Sequence, residues 1–153
     1  MKKYSLFPLE RSDLWERYKA AQLQLWVAEE VDLNGDKFET LTEQEQNIIK
    51  KILAFFVVSD GIVNDNLAAA YLSTVKEPEA LCYYGLQYYI ECVHQEMYGL
   101  FIERYITNET ERTQMFSPIE TMPSIAKKAT WALKWLNSES FVERLIAFSI
   151  IEG

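Results

Sequence analysis

The sequence from Tyr84 to Tyr105, YGLQYYIECVHQEMYGLFIERY, predicts one long helix with an unusual face. Residues spaced three or four apart fall within one arc of ~100° on this helix. They are Tyr84, Gln87, Glu91, His94, Tyr98, Phe101 and Tyr105. Because most are aromatic and a wholly apolar arc lies beside them, the stripe is predicted to be buried or nearly so. An unpaired carboxylate at Glu91 would then cost several kcal/mol, so it must be neutralised, paired or bound to a cation.

Two further helices carry a carboxylate within an apolar stripe. One is Asp60, in the middle of the stripe of the second helix, and the other is Glu152, the fourth member of the stripe of the last helix. The two stripes are Ile49, Leu53, Phe56, Asp60, Val63, Leu67 and Phe141, Leu145, Phe148, Glu152. Basic residues are absent from all three stripes, so ion pairs within them do not neutralise the acids. A multivalent cation is therefore predicted to bind in the interior.

The spacing Glu91-x-x-His94 places a carboxylate and an imidazole on one helix face, as in ferritin-like di-iron and di-manganese carboxylate proteins. Carboxylate oxygens suit iron and manganese, and imidazole favours a transition metal over magnesium or calcium. By itself the pair is weak evidence, because such a pair more often lies on an exposed helix surface. Its place on an aromatic stripe, together with Asp60 and Glu152, favours a metal site.

The rest of the chain is also predicted to be helical, which makes the fold class all-α. Five glycines and four prolines leave few turns, and this favours long helices over many short strands. Thr42 and Glu45 form a capping box that opens the second helix. The predicted helices run from about Ser12 to Glu29, Thr42 to Tyr71, Pro78 to Ile106, Ile119 to Leu136, and Ser138 or Ser140 to Gly153.

Composition excludes several classes of protein. The chain has 153 residues, which suits one domain over 1–153, and its net charge of −8 argues against a nucleic-acid-binding surface. We expect no membrane helix and no signal peptide, and hence a cytoplasmic protein. Cys82 and Cys92 lie too far apart on one helix for a disulfide, and we expect free, buried thiols.

Six stretches resemble the small, radical-generating subunit of class I ribonucleotide reductase, of the eukaryotic and large-DNA-virus type. They are 26–32 WVAEEVD, 53–66 LAFFVVSDGIVNDN, 91–98 ECVHQEMY, 119–123 IETMP, 127–135 KKATWALKW and 147–153 AFSIIEG. The resemblance covers nearly the whole chain, and the motifs are specific in combination. It implies a ferritin-like helical bundle, and this chain corresponds to about the amino-terminal half of that fold. It also implies a homodimer.

The resemblance also implies a ligand set for a di-metal site. Asp60, Glu91 and His94 match the ligands of the first metal, and Glu91 would bridge to the second. Glu152 matches the first carboxylate of the second metal. The pair would be iron, with manganese or a mixed iron–manganese pair as alternatives.

Two aromatic residues gain a role only through the resemblance, since their spacing alone predicts packed core aromatics. Tyr98 matches the tyrosine that is converted to a stable radical at the metal pair. Trp26 matches the tryptophan that relays electrons between the surface and the metal site. In this family the radical passes to a large subunit, which reduces ribonucleoside diphosphates to deoxyribonucleotides.

The chain departs from the family pattern after His94, because it contains no further histidine and no second Glu-x-x-His helix. It offers three carboxylates and one imidazole, whereas the family uses four carboxylates and two imidazoles. Three explanations stay open: a small subunit split into two polypeptides, with a companion chain completing the site; part of a longer protein; or a decayed half that binds metal alone. A rival hypothesis is a symmetric homodimer with a ferroxidase-like or metal-binding role and no reductase activity.

Overall fold

A computed structural model describes residues 4–152, which are helical and contain no β-strand. The α-helices are α1 (Ser12–Gln22), α2 (Glu43–Asn66), α3 (Leu72–Thr74), α4 (Pro78–Tyr105), α5 (Glu109–Phe116), α6 (Pro118–Thr121), α7 (Pro123–Leu136) and α8 (Phe141–Glu152). Short 3₁₀ turns occupy Ala28–Glu30, Leu33–Gly35 and Phe38–Thr40, and a π-helical turn, Leu67–Tyr71, joins α2 to α3. The all-α prediction is confirmed, and the predicted end of the last helix at Gly153 lies outside the described residues.

Helices α2 and α4 pack against each other and form the centre of the bundle, with α1 packed on α4 and α7 packed on α2 and α8. Two apolar clusters hold these helices together. One consists of Leu53, Ala54, Ile102, Ile106, Met115 and Ile125, and the other of Val63, Leu67, Tyr71, Ala132, Leu136, Ala147 and Phe148. Along α2, Asp60 lies between the residues that belong to the two clusters.

The start of α2 is the capping box that the sequence predicts. The Glu45 backbone N–H donates to the Thr42 hydroxyl at 3.3 Å, and the Thr42 backbone N–H donates to the Glu45 carboxylate at 2.8 Å. These two bonds satisfy backbone donors that the first turn of a helix leaves without partners. The third predicted helix is also confirmed, as α4, with Pro78 in its first position.

The first helix was predicted to run to Glu29, but α1 ends at Gln22. Neither glycine nor proline occurs between Gln22 and Gly35, so the sequence carries no breaker at this point. The helix ends because tertiary contacts outweigh local propensity: after Gln22 the chain turns, Ala28 becomes buried and the Trp26 ring comes to lie 5.9 Å from the His94 ring.

The stripe predicted to be buried on the last helix is largely exposed. Only Phe148 is buried, whereas Phe141 and Leu145 are 39% and 38% exposed. Cys92 is exposed as well and Cys82 is only partly buried, so the prediction of two buried thiols was wrong, whereas both cysteines are free as expected. No other element among residues 4–152 packs on these faces of α4 and α8. When a helix is apolar on several sides, the periodic pattern of its sequence does not show which side is buried.

One helical run, Glu43–Thr74, is long and apolar enough to cross a membrane by length and composition. This differs from the expectation that no segment would meet that criterion. The core helix of a soluble protein passes the same test. The run packs against α4 and buries three polar residues, Asp60, Asn64 and Asn66.

Replacing Ile102 with alanine is expected to lower the free energy of unfolding by about 2–5 kcal/mol. Ile102 is 0% exposed, so the shorter side chain leaves a cavity between α2 and α4. Urea denaturation measures the change. The matched control is Ile48→Ala at a residue that is 59% exposed, where the expected change is within about 0.5 kcal/mol. Equal losses in the two variants would contradict the assignment of the core.

Candidate metal centre

Three side chains from two packed helices converge at one point. Glu91 and His94 lie three residues apart on α4, and Asp60 reaches them from α2. One ligand atom from each of the three lies within 4.8 Å of the other two. The packing of α2 on α4 therefore brings together three of the four residues that the sequence marks as metal ligands.

The distances and the donor types fit a transition-metal ion. His94 Nδ1 lies 3.0 Å from Glu91 Oε2 and 3.8 Å from Asp60 Oδ2. Ligand atoms at ~2.1 Å from one ion lie between ~3 and ~4.2 Å apart, depending on the angle between them. Asp60 Oδ2 is buried and accepts no hydrogen bond from the described residues. A buried oxygen of this kind requires a cationic partner, and two carboxylates with one imidazole suit iron or manganese.

Glu152, the fourth predicted ligand, is placed differently from the expectation. It is an exposed residue on α8 and is not part of the group that Asp60, Glu91 and His94 form. Its carboxylate nevertheless faces the same region, because Gln87 Nε2 on α4 donates to Glu152 Oε1 at 3.4 Å. Gln87 belongs to the α4 stripe, but the spacing of that stripe does not predict that Gln87 contacts an acid on another helix.

Burial and neighbouring negative charge raise the pKa values of two acids at the centre, Asp60 and Glu152. Burial, followed by repulsion from Glu91, raises the pKa of Asp60 to about 6. Burial of the carboxyl group, followed by repulsion from Glu91 and Asp60, raises the pKa of Glu152 to about 7. The charge of His94 lowers the pKa values of both Asp60 and Glu152. This mutual repulsion is what a bound cation would relieve.

The stability of the metal-free chain is expected to fall as the pH rises from about 4 to about 7. Since folding raises the pKa of Asp60 from 3.8 to about 6, the folded chain retains a proton that the unfolded chain has already lost. This costs about 3 kcal/mol above pH 6, and Glu152 adds less because solvent screens an exposed group.

Thermal unfolding at pH 4, 5.5 and 7 measures this pH dependence. Asp60→Asn should flatten it, whereas Asp65→Asn, which changes an exposed acid on the same helix, should leave it unchanged. A metal-free chain that became more stable between pH 5 and pH 7 would contradict the raised pKa values.

Trp26 and Tyr98 both lie beside the His94 ring. The Trp26 ring centroid is 5.9 Å from that of His94, with an angle of 36° between the planes. The Tyr98 ring centroid is 6.2 Å from that of His94, with an angle of 40° between the planes. The structure thus places the imidazole next to both aromatic residues for which the resemblance implies redox roles.

The surroundings of Tyr98 are only partly the apolar pocket that the sequence suggests. Phe56 of α2 stacks on the Tyr98 ring, with centroids 5.2 Å apart and an angle of 14° between the planes. Met97 is buried, but Leu100 is 39% exposed, so one side of this region is open among the described residues. Burial, followed by the charges of Asp60 and Glu91, raises the pKa of Tyr98 to about 12. The phenol therefore keeps its proton at neutral pH.

Two further polar contacts are not predicted by the sequence patterns. The Tyr105 hydroxyl donates a hydrogen bond to Asp36, and the Tyr105 ring stacks on Phe38 at 4.5 Å. Glu79, which is 0% exposed, accepts hydrogen bonds from the backbone N–H groups of Glu10 and Arg11 and so ties the segment before α1 to α4. An acid in the first turn of a helix is common, so the burial of Glu79 leaves no signal in the sequence.

Curated proteins that resemble this chain are reductase small subunits. The "Ribonucleoside-diphosphate reductase small subunit" of Dictyostelium discoideum is 49% identical over 155 residues, which cover 99% of this chain and 46% of that protein. The "Ribonucleoside-diphosphate reductase small chain" of Variola virus is 46% identical over 154 residues, which cover 99% of this chain and 48% of that protein. The chain thus spans about half the length of these relatives.

Solved structures with the same fold include the Rnr4 homodimer of the ribonucleotide reductase of Saccharomyces cerevisiae. This structure matches with a TM-score of 0.83 at 26% sequence identity, and the match covers 99% of this chain and 49% of the Rnr4 chain. The dimanganese(II)-NrdF of Streptococcus sanguinis has a TM-score of 0.84 at 17% identity, over 96% and 52% of the two chains, and supports the fold alone. These neighbours confirm the ferritin-like fold class. Residues 3–153 match the sequence model of the family described as "Ribonucleotide reductase, small chain", and the chain therefore belongs to the family of ribonucleotide reductase small chains.

Proposed function

We propose that this chain contributes to the radical-generating di-metal centre of a ribonucleoside-diphosphate reductase small subunit. The observation that carries the proposal is the convergence of Asp60, Glu91 and His94, with the Tyr98 ring beside the imidazole, in a chain of this family. Ribonucleoside diphosphates are the substrate class of the assembled enzyme, and deoxyribonucleotides are its products. The chain acts in the cytoplasm.

Asp60, Glu91 and His94 would hold the first metal ion, and Glu91 would also be a ligand of the second. Glu152 is the first carboxylate of the second ion, held towards the centre by Gln87. Two carboxylates and an imidazole suit iron, manganese or a mixed pair. The name of the Streptococcus sanguinis neighbour states that it binds two manganese ions, which keeps manganese among the candidates.

Tyr98 is the residue that stores the radical. When bound, the metal pair supplies the oxidising power that removes one electron from this tyrosine. With a pKa of about 12, Tyr98 Oη still carries its proton at neutral pH, so oxidation removes a proton as well as an electron. Met97, which is buried, and Phe56, which stacks on the ring, limit access of water and reductants. Trp26, in contact with the His94 ring, relays electrons between the surface and the metal site.

Partners complete the centre and use the radical. The reductase large subunit receives the radical. The remaining ligands, which include a second imidazole, come from polypeptide beyond these 153 residues, either in a companion chain with a second Glu-x-x-His helix or in a longer form of the same chain. The exposed apolar residues of α8, Val142, Ile146 and Ile150, support packing of further helices there. A homodimer is also expected, as in the Rnr4 structure.

Metal content and the tyrosyl radical signal test this proposal together. The chain alone is expected to bind iron or manganese weakly and to give no radical in electron paramagnetic resonance. With a companion polypeptide that carries the second Glu-x-x-His helix, about two metal ions per assembled site and a tyrosyl radical are expected after exposure to ferrous iron and oxygen.

The symmetric homodimer with a ferroxidase-like role gives a different result. It would bind about two metal ions per pair of chains without any companion and would form no radical. The relatives and structures described above are ribonucleotide reductase small chains, so none of them favours this rival. Full metal binding by the chain alone would overturn the proposed role.

A further inference from the structure

A second polar site lies about two turns after Asp60 along α2. An open cavity of about 370 Å³ is lined by the end of α2, by α3, by α7, and by the connection from α7 to α8. The polar residues around it include Asn66, Thr74, Ser138 and Arg144. None of them belongs to the metal centre.

Two residues that line this cavity have a buried hydrogen-bond donor without a well-formed hydrogen bond among the described residues. The donors are Nδ2 of Asn66, a residue that is 7% exposed, and Nε of Arg144. Burial, followed by the neighbouring Tyr84, raises the pKa of Tyr71 to about 12, whereas the charge of Arg144 and a side-chain contact from Asn66 lower it. Since Asn66 and Arg144 both lie near the Tyr71 hydroxyl, the two donors lie close together.

The guanidinium group of Arg144 is fixed in position. Its Nη1 donates to the backbone carbonyls of Ser138 at 2.6 Å and Glu139 at 3.2 Å. These neutral carbonyls leave the positive charge without a counter-ion, and Arg144 forms no ion pair within the described part of the chain. Asp65, an exposed acid, also lines the cavity but forms no ion pair with Arg144.

We propose that this cavity binds a small oxyanion, a phosphate or a carboxylate group, between Arg144 and Asn66. A neutral water molecule accepts a hydrogen bond from each of these residues but does not compensate the charge of the guanidinium. An oxyanion accepts both hydrogen bonds and pairs with Arg144, and charge-assisted bonds of this kind are about twice as strong as neutral ones. Thr74 lines the same space and fits a further oxygen of a phosphate, whereas the Ser138 hydroxyl already donates to Glu143.

Isothermal titration of the metal-free chain with sodium phosphate and with sodium acetate tests the proposal. Sodium chloride holds the ionic strength constant. Saturable binding of at least one of the two anions is expected, and the anion that binds more tightly identifies the group as phosphate or carboxylate. Arg144→Gln should weaken binding at least about tenfold, because it removes the positive charge, and Asn66→Leu about threefold to tenfold, because it removes one donor.

Asn66→Leu keeps a side chain of similar volume in the core, so it preserves the test if Arg144→Gln fails to fold. The matched control is Arg17→Gln, which removes an exposed arginine from α1 and should leave the affinity unchanged. The absence of binding by both anions, or equal affinities in the wild-type chain, Asn66→Leu and Arg144→Gln, would overturn the proposal. The experiment uses no metal and no companion chain, so its outcome is independent of the proposed reductase role.

Discussion

Replacement of Tyr98 by phenylalanine is expected to abolish the tyrosyl radical and, in the reductase role proposed for this chain, deoxyribonucleotide formation as well. The phenylalanine keeps the ring between His94 and Phe56 but has no phenolic proton to lose, so it cannot be oxidised under the same conditions. Metal content should not change, because the Tyr98 hydroxyl is not among the ligand atoms that converge at the centre. Electron paramagnetic resonance, metal analysis and turnover with the large subunit measure the three quantities.

The matched control for this variant is Tyr89→Phe. Tyr89 lies on the same helix but is 46% exposed, and its replacement should leave the radical and the turnover unchanged. Normal turnover in Tyr98→Phe would remove Tyr98 from the proposed role. Loss of metal together with the radical would instead show that this position is needed for the metal site itself.

Replacement of His94 by alanine is expected to weaken metal binding at least about 100-fold, because loss of a ligand costs no less than loss of a hydrogen bond that supports one. His94 is the chain's only histidine, and its Nδ1 faces both Asp60 and Glu91. Its removal leaves two carboxylates, a site that no longer favours a transition metal over magnesium or calcium. Titration with manganese(II) or, without oxygen, with iron(II) measures the affinity in the assembled small subunit.

Gln95→Ala is the control for His94→Ala. Gln95 is the next residue on α4 and is not part of the group of potential ligands, so its replacement should leave metal affinity within about threefold of the wild type. Full metal content in His94→Ala would contradict the ligand role. Because the two variants alter adjacent residues of one helix, a general weakening of α4 would affect both of them.

The identity and face of α4 could be predicted from the sequence. Prolines and the capping box mark where α4 and α2 begin, and a period of three to four residues places Glu91, His94 and Tyr98 on one side. A carboxylate on an apolar stripe of α2 pointed to Asp60 in the same way. These features are local, since helix propensity, capping and periodicity depend only on residues within a few positions of each other along the chain.

Which residues meet in space was decided by packing between helices. The contact of His94 with Asp60 depends on how α2 lies against α4, and the contact of Trp26 with His94 requires α1 to end at Gln22, where no breaker occurs. The exposure of Glu152 and the position of Asn66 and Arg144 on one cavity likewise depend on the placement of α8 against α2 and α7. A helical period gives each side chain a direction around its own axis, but the partner on the next helix is selected by the fit of all the side chains between them.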